Sequence, residues 1–122
     1  MKKIFKKELN GKLYYCLESK VEPTESVKEY TLGRVGERVK LPCILGQKML
    51  DECVEQSKSE EEINLAHAIF NYASKKVHCN DACTMESGCP LFLEVLRLSE
   101  VVGSHEFQVA CQLAAIEWLC GN

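Results

Sequence analysis

Apolar and polar positions alternate along the first forty residues and then change period. Ile4, Phe5 and Leu9 precede Asn10-Gly11, and Leu13, Tyr14, Tyr15 and Leu17 follow it. Asn-Gly suits a two-residue hairpin loop, because both central positions need positive φ. The pattern therefore predicts a β-hairpin over residues 3–18, then a loop over 18–26 around Pro23. Two further short strands are predicted, Val27 to Leu32 and Val35 to Leu41, with a turn at Gly33 and Gly36. In the second of these Val35, Glu37, Val39 and Leu41 share one face, although Glu37 is out of place there.

After Pro42 the apolar spacing becomes helical. Leu45, Met49, Leu50, Cys53 and Val54 predict a helix over residues 44–57. Ser59, with Glu62 three residues on, forms a capping box that opens a second helix. The most apolar stripe of that helix is Ile63, Ala66, Phe70, Ala73 and Val77. Pro90 stands at a natural first helical position, and Leu91, Phe92, Val95, Leu96 and Val102 give the buried face of a third helix ending at Gly103. Ser104 is placed to cap a fourth. Apolar residues cover nearly the whole circumference of that last helix, which predicts a place inside the core or in an interface. The expected fold is α+β: an N-terminal antiparallel sheet of three or four strands, then a C-terminal bundle of about four helices. Residues 1–122 read as one domain, with a β subdomain over 1–42 and a helical subdomain over 43–122.

Composition leaves this picture intact. The 122 residues are 46% apolar and 27% charged, an ordinary globular balance. A net charge of −3 argues against nucleic-acid binding as the main activity. Lys2, Lys3, Lys6, Lys7 and Lys12 make the start locally basic, which reads as a solvated sheet edge. No apolar run follows that basic start, so a secretory signal is not expected, nor is a membrane span. A cytoplasmic location is the resulting expectation.

Eight cysteines give the chain its chemistry. In a reducing compartment they are expected to be thiols or metal ligands and not disulfides, and so many thiols are tolerated most easily where oxygen is scarce. Cys79, Cys83 and Cys89 fall in the thirteen residues from His78 to Pro90, spaced Cys-x3-Cys-x5-Cys-Pro. Were the second helix to continue to Cys83, Cys79 and Cys83 would lie one turn apart on one face. Cys89 precedes Pro90 and so falls at a helix N-cap, where unpaired N–H groups favour a thiolate. Metal and cluster sites generally take four ligands. Cys43, at the junction of sheet and helices, is the preferred fourth, with His78 second and Cys16 third. Zinc and an iron–sulfur cluster both remain open. Cys-Pro after the last ligand is a habit of iron–sulfur sites, yet proline at a first helical position needs no iron.

Cys53 and Cys111 sit at helical positions where a free thiol packs as a small hydrophobe, as does Cys120. His67 reads as a satisfied or polar-face residue. No Ser/His/Asp set, HExxH motif or P-loop is present, so catalysis is not expected. The reading is a small cytoplasmic metal- or iron–sulfur-binding accessory protein. Its alternatives are a cofactor-free adaptor or inhibitor with core thiols, and a thiol-redox protein. A protein partner or a second copy is expected on the C-terminal helix, with Trp118 as anchor.

Overall fold

A computed structural model describes residues 2–19, 27–77, 90–102 and 105–120, with side chains omitted at 105–106 and 115–120. Three strands, β1 (Lys2–Leu9), β2 (Lys12–Ser19) and β3 (Lys28–Arg34), form an antiparallel sheet in the order β1-β2-β3. Four helices follow: α1 (Ile44–Gln56), α2 (Glu60–Lys76), α3 (Pro90–Val102) and α4 (His105–Cys120). The fold is α+β, with the sheet at the N-terminus. No helix among the described residues is long and apolar enough to cross a membrane.

The hairpin turn is the expected one: Asn10 has φ 53 and Gly11 φ 79, and Leu9 pairs with Lys12 across it. The pairing of β2 with β3 shifts register at Tyr15/Cys16, while its pairing with β1 is regular throughout. Tyr15 and Leu17 face the helices and join the core. Cys16 alternates with them, so its side chain leaves on the opposite side of the sheet. Lysines on edge strand β1 are paired: Lys3 with Glu18 at 3.1 Å, Lys6 with Glu61 at 3.0 Å and Lys7 with Glu29 at 2.9 Å.

The fourth strand expected over Val35 to Leu41 does not form. Gly36, at φ 89, turns the chain away from the sheet. The alternation survives, since Val35, Val39 and Leu41 still lean on the core, but helix side chains take the backbone donors. Val39 N–H donates to His67 Nδ1 at 3.1 Å, and Leu41 N–H to Gln47 Oε1 at 2.8 Å. Arg38 spans the start of α2, donating to Asn64 Oδ1 at 3.0 Å and to Glu60 Oε1 at 2.7 Å.

The helices neighbour one another in a ring, α1–α2–α3–α4 and back to α1, while β3 lies over α2 and β1 over α3. Among the described residues the longest unbroken buried run lies on α2. From Asn64 to Phe70 every residue of α2 is buried. It opens with the capping box in shifted form: Ser59 Oγ accepts from Glu62 N–H at 3.2 Å, and Glu62 Oε2 accepts from Lys58 N–H at 2.8 Å. Gly33 of β3 meets α2 so closely that a Cβ there would stand 3.2 Å from Ala68 Cα and 3.4 Å from Asn71 Nδ2. Asn71 Nδ2 in turn donates to Leu32 O at 2.8 Å, pinning strand to helix.

Candidate metal centre

Cys43 is the N-cap of α1. Its backbone is extended, at φ −91 and ψ 128, and its carbonyl accepts from Gln47 N–H at 2.9 Å. The residue is 4% exposed, and its thiol makes no capping hydrogen bond. The first turn of α1 carries no acidic side chain, so its N–H groups and dipole are left to favour negative charge at this end.

The start of α3, which follows the cysteine stretch, lies beside Cys43. A Cβ on Gly46 would lie 3.8 Å from Cys43 Cβ and 2.7 Å from Leu91 Cδ2. Leu91 follows Pro90, the first residue of α3, so α3 starts beside the start of α1. Lys76, the last residue of α2, pairs with the buried Glu94 on α3 at 2.9 Å. Glu94 also lies 3.7 Å from Arg97. The hydrogen bond from Lys76 to Glu94 raises the lysine pKa above its ordinary value, although burial opposes this. Segment 78–89 thus leaves from the end of α2 and returns at the start of α3, with Cys43 at the adjoining helix start.

The expected placing of Cys79 and Cys83 on one helix face falls on residues outside those described. The helix ends at Lys76, and Val77, at φ −95 and ψ 7, is its C-cap, donating to Ala73 O. Lys75, Lys76 and Val77 carry helix-ending charge and geometry that the apolar period alone did not reveal. His78, Cys79, Cys83 and Cys89 lie outside the described residues, so of the four preferred ligands only Cys43 has a described position. No group of three or more metal-binding side chains occurs among the described residues.

Cys16, the third choice for a fourth ligand, is not brought to Cys43. It sits on the sheet face away from the helices, opposite Phe5 and Thr31. Burial pushes its thiol pKa up, as does the Glu29 carboxylate. Cys53 and Cys111 are both fully buried, and their sulfurs lie 3.7 Å apart between α1 and α4. The contact with Cys53 and burial raise the Cys111 pKa strongly. A separate concavity of about 250 Å³ lies between β1, the start of α2 and the end of α3, lined by Ile4, Lys6, Tyr15, Glu61, Leu65 and Val102. The Lys6–Glu61 ion pair borders it, and burial keeps the Tyr15 phenol protonated well above its usual range.

Compared with known proteins, the chain matches no family profile, no curated protein and no solved structure.

Proposed function

We propose that this protein binds an iron–sulfur cluster or zinc through Cys79, Cys83, Cys89 and Cys43, and serves as a small accessory or regulatory subunit in the cytoplasm. One observation carries the reading. Leu91, one residue after Pro90, packs on Gly46 beside Cys43, and Lys76 at the end of α2 pairs with Glu94 on the same helix α3. A segment tethered at both ends loses less entropy when it closes on a fourth ligand. The first turn of α1 carries no acidic side chain, so the positive end of its dipole is open to a negatively charged metal–thiolate group. Four thiolates suit tetrahedral zinc and an iron–sulfur cluster equally.

The partner surface in this reading is the free side of α4. Phe107, Ala110, Cys111 and Ala114 fill the core, whereas Leu113 is 42% exposed. Trp118 is the proposed anchor; its side chain lies outside the described residues. A cofactor-free adaptor is the competing reading, favoured by the burial of all four described cysteines.

Elemental analysis and an absorption spectrum of protein purified without oxygen decide between them. Iron with a broad band near ~400 nm supports a cluster, and zinc at one ion per chain supports a structural site. Protein free of both metals, with its thiols titrating as free, overturns the proposal in favour of the adaptor.

A further inference from the structure

Cys53 and Cys111 join two elements far apart in sequence. They are 58 residues apart along the chain, and their sulfurs touch at 3.7 Å across the seam between α1 and α4. Both are fully buried within the main apolar cluster. The two helices are direct neighbours along this seam. A disulfide needs the sulfurs to close to about 2.05 Å, a shift that side-chain rotation and a small approach of the helices supply.

We propose that Cys53 and Cys111 form an oxidisable dithiol whose disulfide locks α1 to α4, with a peroxide as the oxidant. One thiol, as its thiolate, attacks a peroxide oxygen. The O–O bond breaks, hydroxide leaves and takes up a proton, and that sulfur becomes a sulfenic acid. The second thiol then attacks the sulfenic sulfur. The S–S bond forms and water leaves, so two thiols and one hydrogen peroxide give one disulfide and two waters. Burial selects the oxidant. A peroxide is close to water in size and enters through a local opening, whereas a bulky organic disulfide cannot align with a sulfur inside the core. Burial also raises the Cys111 pKa, so the reaction is slower than that of an exposed cysteine. The product closes a long loop, and such a cross-link restricts the unfolded chain most. The lock is independent of the metal reading, since neither sulfur belongs to the proposed ligand set.

The test uses the full chain, reduced and then treated with hydrogen peroxide. Remaining thiols are alkylated in denaturant, and the protein is digested at lysine and glutamate, so that cleavage at Glu117 separates Cys111 from Cys120. The expected product is a peptide pair joining Cys53 to Cys111, two hydrogens lighter than the sum of its parts. The melting temperature should rise by roughly 5 °C or more and return on reduction. Recovery of Cys53 and Cys111 as alkylated thiols, or of either joined to another cysteine, overturns the proposal. A Cys53–Cys111 bond with no rise in melting temperature overturns the lock.

Discussion

His67 illustrates what a single residue discloses before and after folding. Its place between two alanines marked it as satisfied or polar-facing, and it is satisfied, but by the backbone of Val39 and from a buried site. Accepting the Val39 N–H requires an unprotonated Nδ1. Burial lowers the His67 pKa first, nearby Arg38 lowers it further, and Asp51 opposes them. The fold therefore prefers the neutral ring. Its contribution is intact above the unfolded value of about 6.5 and is lost as pH falls through that value toward the lower folded one. Urea unfolding at pH 7.5 and 5.5 should show the wild-type protein losing more stability than His67→Gln over this interval. Equal losses would remove His67 as the cause. The cysteines show the same limit of legibility. Helical spacing identified Cys53 and Cys111 as core thiols, but spacing within a helix carries no information about contacts between helices, and their meeting was invisible.

At the scale of the element, local signals read true wherever the chain's own neighbours decide. Asn10-Gly11, Ser59 with Glu62, and Pro90 each mark a boundary through their own backbone chemistry. The errors fall where tertiary partners decide. Val35 to Leu41 alternates like a strand, yet Gly36 turns it off the sheet, and His67 and Gln47 take its N–H groups. Burial of α2 on nearly all sides was equally hidden, because small and polar residues such as Ala68, Asn64 and Ser74 are buried where strand or helix comes close. Gly33 is the sharpest case. Alanine there gains about 0.5–1 kcal/mol from reduced unfolded-chain freedom. Against that, its Cβ would press on Ala68 Cα at 3.2 Å, and backbone yields only if α2 moves. Overpacking of this kind costs about 1–3 kcal/mol, so Gly33→Ala should be destabilised by about 1–2 kcal/mol in urea unfolding. A variant as stable as the wild type would show that the strand–helix contact is looser than the distances require.

For the whole molecule, the change of period at Pro42 separated sheet from helices correctly, and a ring of four helices roofed by three strands follows from it. The order of that ring could not be read from the chain, and with it went the reason Cys43 is well placed. Sequence argued for Cys43 from its junction position alone. The fold adds that α1 and α3 start side by side and that Lys76 holds the end of α2 to Glu94.

The central claim is that the cysteine stretch closes on Cys43, and bound metal per chain in single-cysteine variants tests it most directly. Wild type, Cys43→Ser and Cys16→Ala would be purified without oxygen, checked for native helix content by circular dichroism, and assayed for iron and zinc. Cys16→Ala should keep the wild-type metal content, because Cys16 lies on the far face of the sheet. Folded Cys43→Ser should retain less than about a tenth of that content, a loss as large as those caused by weaker perturbations around metal sites. Full retention in Cys43→Ser, or equal loss in both variants, would contradict it.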